Sequence, residues 1–230
     1  MIWLRRAAIA AVALALLALA LSGPLTRFDV WSYRIGLELF RWGGYLGAAA
    51  AVLAVAVLAW PAARRIGIAA PLVVLVVGLI AYFIPSQFWA QARAVPRIND
   101  ITTDTANPPQ YMTASRPYPR EFATLQKQAY PDLATLELRI PTGEAYARAV
   151  AAAEAMGWEV VGRDAAAGTI EAVDTTRWFG FRDDIAIRVS DAPDTSHNRS
   201  RIDVRSKSRV GRNDFGTNAR RIRTYLQHLQ

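Results

Sequence analysis

Residues 7–25, 43–60 and 66–84 are apolar stretches of 18 or 19 positions that contain no charged side chain. At 1.5 Å per residue each reaches across a hydrocarbon core of roughly 30 Å, and a core helix of a globular protein rarely lacks every charge for so long. Three spanning helices are therefore expected. The first stretch follows Arg5-Arg6. That layout fits a cleavable signal peptide, with Ala18-Leu19-Ala20 as the cleavage box, or an uncleaved anchor ended by Gly23-Pro24, which is the reading adopted. Between the first two runs, Phe28, Trp31, Ile35, Leu39 and Trp42 recur at helical spacing opposite Arg34, Glu38 and Arg41. This predicts an amphipathic helix over 27–42, lying along the outer headgroup boundary or packed on the spanning helices or on a partner. Pro85-Ser86-Gln87 is expected to break the third helix.

Beyond residue 92 the pattern changes. Prolines at 96, 108, 109, 117, 119 and 131 predict an extended strap over 96–132. A short strand over 136–140 precedes a helix capped by Thr142, with Tyr146, Ala149, Val150, Ala153 and Met156 on its apolar face and Gly157 at its end. Period-two alternation then predicts strands over 158–164, 168–175, 178–189 and 200–210. In the last, Ile202, Val204, Ser206, Ser208 and Val210 share one face, and Arg201, Asp203, Arg205, Lys207 and Arg209 the other. The chain closes on a helix with the stripe Phe215, Ala219, Ile222, Leu226, Leu229. The expected architecture is a membrane domain, 1–92, with about three N-terminal transmembrane helices. An α+β domain follows, 93–230, in which two helices cover a small antiparallel sheet.

Charge divides along the same line. The first 95 residues hold ten charges and the remaining 135 hold 36. Residues 1–95 carry +6, residues 96–198 carry −5 and residues 199–230 carry +7, which together give the net charge of +8. Of 27 basic residues 25 are Arg, read here as compositional bias. Arg5-Arg6 ahead of an apolar run places the amino terminus inside, with Arg64-Arg65 on the same side and Arg27, Arg34, Arg41, Arg93 and Arg97 outside. The expected location is a bacterial inner (cytoplasmic) membrane, multi-pass, with a periplasmic C-terminal domain. Membrane lipids and other membrane-protein subunits are then the partners, and nucleic acid is not. The chain has no cysteine, which excludes disulfide scaffolds, thiolate zinc sites and thiol nucleophiles.

Candidate chemistry is sparse. There are two histidines, His197 in a polar stretch and His228 near the end, and no nucleophile elbow, phosphate loop or dinucleotide fingerprint. Neither a catalytic residue nor a cofactor is assigned. Asp183 and Asp184 are adjacent on a strand and so face opposite ways. Asn99, Asp100 and Asp104, with Thr103, offer oxygen ligands for a hard cation, or hydrogen bonds to neighbouring backbone. Arg205, Arg209, Arg212 and Asn213 run into the start of the last helix, whose free N–H groups and dipole suit an anion. The competing reading puts these arginines into a structural network with Asp183, Asp203 and Asp214. The aromatic cluster Trp178-Phe179-Gly180-Phe181 is expected to pack under a helix or to dip into headgroups.

Four segments together resemble a known family: Arg97–Asp104 (RINDITTD), Gly157-Trp158-Glu159, Trp178–Asp184 (WFGFRDD) and, above all, Ser206–Ile222 (SKSRVGRNDFGTNARRI). They are similar to the domain of unknown function 1499, in its bacterial form with membrane helices ahead of it, over about residues 93–228. Many relatives carry an Asn-Cys-Val-Ser type element where this chain has Asn99-Asp100-Ile101-Thr102, so no role of that cysteine transfers. The resemblance implies a fold and no activity. The expected function is a membrane-held binding or accessory module for an anionic lipid or polymer of the envelope. The alternatives are a hydrolase acting on a phosphate-bearing or lipid substrate, and a structural subunit of a larger membrane complex, for which the small-residue run at Gly43, Gly44 and Gly47 offers a packing surface.

Overall fold

The computed structural model describes residues 2–64, 67–193 and 198–230. Arg65 and His197 lie outside the described residues. The chain divides into two compact units, Met1–Gln91 with Arg177–Gly180, and Ala92–Thr176 with Phe181–Gln230.

The first unit is helical: α1 (Ile2–Ser22), α2 (Pro24–Arg27), α3 (Tyr33–Ala59), α4 (Pro61–Arg64) and α5 (Ala69–Ala94). Three stretches, Ile2–Arg27, Tyr33–Ala59 and Ala69–Ala94, are long and apolar enough to cross a membrane. Their packing suits lipid rather than water. Small side chains face inward, among them Ala8, Ala15, Ala50, Ala54 and Ala81, while Leu14, Leu17, Val52, Val73 and Phe83 point outward. Association of this kind depends on close backbone approach, because lipid tails are as apolar as leucine. Gly47 and Gly78 provide it: a Cβ on Gly47 would stand 2.8 Å from the Gly78 carbonyl oxygen, and one on Gly78 would stand 2.7 Å from that of Gly47.

Three expectations are corrected here. The amphipathic stripe is not a separate helix over 27–42, since from Tyr33 it is continuous with the second span. Gly43 and Gly44, which look like a break in isolation, are held in the helix by Leu19 and Pro85 packed against them. The buried face of α3 is accordingly Gly36, Phe40, Gly43 and Gly47, and Phe28, Ile35 and Trp42 stay exposed. Pro85 does not end the third helix either, for α5 runs through it to Ala94. The lost backbone bond is tolerable where the ring fills the notch at Gly44. Trp178–Gly180, expected to open a strand, form a loop instead, because Gly180 adopts a positive φ and Thr176 N–H donates to the Phe181 carbonyl. Within the first unit Phe179 stands edge-on to Phe40 at 5.7 Å, and Trp178 occupies the space beside Gly23.

The second unit contains β1 (Asp100–Thr102), α6 (Arg120–Ala129), β2 (Leu136–Leu138), α7 (Thr142–Ala155), β3 (Glu159–Asp164), β4 (Thr169–Thr175), β5 (Arg182–Asp191), β6 (Ser200–Ser208) and α8 (Thr217–Leu229). The sheet is antiparallel in the order β1-β6-β5-β4-β3, and β2 also pairs with β6. One edge of β6 thus serves two short strands. Thr103 bridges the gap between them, its N–H donating to the Val204 carbonyl and its Oγ1 accepting from Val204 N–H, both at 2.9 Å. The strap is not wholly extended: Arg120–Ala129 form a helix between Pro119 and Pro131, with Pro119 at its N-cap, where a missing N–H costs nothing. Thr142 is the first residue of α7 rather than its cap, and its hydroxyl donates to Asp191.

Helices α7 and α8 cover one sheet face. Ile170, Ala172, Ile185, Ile187, Val189, Ile202 and Val204 meet Ala145, Ala149, Ala153, Ala219, Ile222 and Leu229 there. Trp158 stacks on Tyr225 at 5.0 Å, and the Tyr225 hydroxyl donates to the Ala149 carbonyl at 2.8 Å. This core is complete within the second unit. A fragment spanning 92–230 should therefore fold cooperatively and independently of reductant, with dispersed amide resonances; an aggregated or molten product would show that the membrane helices complete the core.

Candidate functional site

The other sheet face decides what the charged motifs do. Sequence alternation suggests a wet basic surface, yet residues 103–118 lie across it and take up its charges. Arg205 is fully buried. Its Nε and Nη2 donate to the two oxygens of Asp100 at 2.9 and 2.8 Å, and further N–H groups reach the carbonyls of Pro109 and Arg116. The rings of Tyr111 and Tyr118 flank the guanidinium at 5.0 and 5.6 Å. Burial opposes the charge, but the Asp100 carboxylate outweighs it and holds the Arg205 pKa above its ordinary value. Lys207 donates to the same carboxylate at 3.1 Å.

Neighbouring carboxylates repeat the device. Asp184 accepts from Arg209 at 2.7 Å and from Arg116. Burial pushes its pKa upward, and these two guanidinium groups prevail, leaving it below the ordinary carboxylate value. Glu171 accepts the backbone N–H groups of Met112 and Thr113 and the Thr113 hydroxyl, at 2.6 to 2.9 Å. Asp203 accepts from Arg188, Thr103 and Thr135. Asp104 accepts from Arg188 and from the N–H groups of Ala106 and Asn107.

A second network sits at one end of the helix-covered face. Asp183, opposite in direction to Asp184 as the strand alternation requires, pairs with Arg221 at 2.6 Å. Arg221 also donates to Asp174, Ser206 and Asn218. Asp214 accepts from the N–H groups of Gly216 and Asn218, both at 2.9 Å, and so caps α8. The entry to that helix depends on Gly216, at φ 71°, a left-handed conformation that glycine adopts without strain. Burial raises the Asp214 pKa despite those two bonds.

These contacts place the residues of both candidate sites, while His197 lies outside the described residues. Of the anion-site group, Arg205 is sealed against Asp100 and Arg209 is committed to Asp184. Asn213 donates to the Ala92 carbonyl at 2.9 Å and accepts from Phe215 N–H. Arg212 is exposed, but the helix terminus beside it already holds the Asp214 carboxylate, so the unsatisfied N–H groups on which the anion site depended are taken. Of the cation group, Asp100 and Asp104 face arginines, and Asn99 donates to the Gly211 carbonyl. Among the described residues no group of three or more His, Cys, Asp or Glu is placed to hold a metal ion. His228 is exposed on α8. Asp183, Asp203 and Asp214 do belong to structural networks, with Arg221, Arg188 and a helix cap as their respective partners.

A groove of about 550 Å³ lies between the start of the strap, the segment after α6, and β6. Lys127, Arg201 and Thr105 line it, with Tyr130, Pro131 and Leu133 supplying apolar wall. Its acceptors are occupied: Asp104 by Arg188, and the hydroxyls of Thr103 and Thr135 in bonds to Asp203. Among the described residues no carboxylate pairs with its cations, Lys127 and Arg201. Arg201 makes one long hydrogen bond, to Thr135 at 3.4 Å, and its buried Nε has no partner among the described residues.

The family model described as a protein of unknown function, DUF1499, matches residues 100–229. The chain belongs to the DUF1499 family. No curated protein matches it. The DUF1499 segment starts in β1 and ends in the last turn of α8, so it takes in both networks and the groove, whereas α1 to α5 lie outside it.

Sequence reasoning missed Glu171, Arg188, Arg221, Gln126 and Tyr111 as members of the DUF1499 networks. Gln126 closes a two-bond clamp on Thr102, accepting from its N–H at 2.9 Å and donating to its carbonyl at 2.6 Å. The available signal was an acidic residue at the middle of each inner strand, Glu171, Asp184 and Asp203, since such residues are rarely buried unless paired.

Two stability measurements follow. Arg205→Met leaves Asp100 desolvated with Lys207 alone and should cost about 3 kcal/mol, near the lower end for breaking a buried pair, while Arg212→Met should stay within about 0.5 kcal/mol. Equal effects in thermal unfolding would refute the network assignment. Asp184→Asn should cost about 2 kcal/mol at pH 7, discounted because Arg116 and Arg209 are partly solvated. A carboxylate whose folded pKa is depressed stabilises above its unfolded value and loses that contribution as pH falls through the folded one, so the gap between Asp184→Asn and wild type should close in acid.

Proposed function

We propose that this protein is a multi-pass membrane protein of a bacterial cell envelope whose DUF1499 domain lies on the periplasmic side and binds an anionic lipid or polymer. The observation that carries the reading is the division among charged groups. Motif charges are consumed in bracing the sheet, and the groove keeps uncompensated cations, a layout for binding rather than for moving protons. A hydrolase would need a base or an activated water in an open site, and the buried acids of the sheet and of the α8 cap are committed to arginine, N–H or hydroxyl donors. Three apolar helices support the membrane assignment, and the basic start ahead of the first of them supports the orientation. A second reading, as a subunit of a larger membrane complex, is favoured by the exposed stripe of Phe28, Ile35 and Trp42.

Alkaline phosphatase fused after Gln230 should be active, and a cytoplasm-dependent reporter at the same position silent. The reverse result would reject the periplasmic assignment. Purified full-length protein in neutral detergent should bind dextran sulfate or micelles doped with phosphatidylglycerol in a salt-sensitive manner, and indifference to both would reject the anion-binding reading.

A further inference from the structure

We infer that the groove lined by Lys127, Arg201 and Thr105 is a phosphate-binding site. The inference rests on the anion-binding reading and assigns it a place and a chemical class. It follows from which hydrogen-bonding groups are left over. Around the groove each carboxylate is already neutralised, Asp104 and Asp203 sharing Arg188 at 3.1 and 2.8 Å. The Thr103 and Thr135 hydroxyls both spend their protons on Asp203, at 3.0 and 2.6 Å. The groups with spare capacity are the exposed Lys127 ammonium, the Arg201 guanidinium, the Thr105 hydroxyl and the Tyr130 hydroxyl, which is buried without a partner among the described residues.

Arg201 gives the sharpest indication. Its residue position on β6 opposes Glu137, yet the Glu137 carboxylate is bound to Arg199 at 2.9 Å, so Arg201 is passed over by its natural counter-ion. Its Nε is buried without a partner among the described residues, and its one hydrogen bond, to Thr135, is long. A buried N–H left without an acceptor is unfavourable unless an acceptor arrives from outside the chain. Two cations and a hydroxyl donor converging on one concavity call for a group that has several acceptor oxygens, no donors and more than one negative charge. Phosphate meets those terms, and the planar fork of arginine matches two of its oxygens. Tyr130, Pro131 and Leu133 give the same groove an apolar wall. A phosphate carried on an apolar body therefore fits as well as a free one, and the source is left to experiment.

The test uses the full chain in dodecyl maltoside, titrated separately with inorganic phosphate and with dihexanoyl phosphatidate, and read by calorimetry and phosphorus resonance broadening. Wild type should bind. Lys127→Ala and Arg201→Gln should each weaken binding about fivefold and together about 25-fold, the effect of about 1 kcal/mol per charge, and Arg201→Lys should lose less than Arg201→Gln. Arg148→Ala, on the far side of an exposed helical pair, should bind as wild type, and circular dichroism of each variant should match it. Tighter binding of phosphatidate than of phosphate identifies a lipid headgroup as the source, and equal binding identifies a soluble phosphate; both support the site. Wild-type binding that survives the double substitution overturns the groove and leaves the anion-binding reading standing. Binding of dextran sulfate without either phosphate compound overturns phosphate as the ligand class. Failure to bind any anion overturns the site together with the reading on which it rests.

Discussion

A guanidinium group with no contact with water dictates the layout of the soluble domain. Arg205 sits on β6, the strand that pairs with β5 on one side and with β1 and β2 on the other. Stranding such a group would cost several kcal/mol, so its five donors and its flat faces must find partners within the chain. They come from Asp100, from the carbonyls of Pro109 and Arg116, and from the rings of Tyr111 and Tyr118. All five partners lie between residues 100 and 118. One side chain thus fixes the path of a segment that has no regular structure over most of its length.

That constraint gives the sheet two unlike faces. Toward α7 and α8 the strands present aliphatic side chains, which could be exchanged for others of similar volume without changing the topology. Toward the strap they present Glu171, Asp184, Asp203 and Arg205, each of which accepts only a partner of particular charge and geometry. Hydrophobic burial supplies the driving force on the first face, and polar pairing supplies registration on the second. Adjacent residues Asp183 and Asp184 join the two systems, one reaching α8 through Arg221 and the other reaching the strap through Arg116. A one-residue slip of β5 would turn Asp183 toward the strap and Asp184 toward α8, and would carry Ile185 and Ile187 from the apolar core to the polar face.

Local pattern sufficed where an element is decided locally. The absence of charge over 18 residues marks a span whatever surrounds it, and strict alternation marks β4 and β6 within two residues of their ends, whereas β5 starts four residues later than expected. Prolines misled in both directions. Pro85 is accepted inside α5 because Gly44 leaves room for its ring, and Pro119 starts a helix where it was read as forbidding one. In α6 the signals were present, with Glu121 in the first turn and Lys127 in the last. The alternating charges from Arg201 to Arg209 could not be interpreted locally at all. The same alternation describes a wet face or an ionic layer under a strap, and the difference lies in residues 100 positions earlier in the chain.

The motifs that identify the family are also the residues least free to act on anything else. Asn99, Asp100, Asp183, Asp184, Ser206, Asp214, Asn218 and Arg221 are engaged with one another or with backbone, and removing any of them disturbs folding before it disturbs a ligand. A signature composed in this way marks a scaffold, and scaffold and activity are separable. The groove is built otherwise. Lys127, Thr105 and Arg201 fall outside the four motif segments, and among the described residues their side chains make no close ion pair and only the long bond from Arg201 to Thr135. Substitutions at these three positions should therefore leave the fold intact, and the phosphate site proposed for the groove rests on residues that the signature does not include.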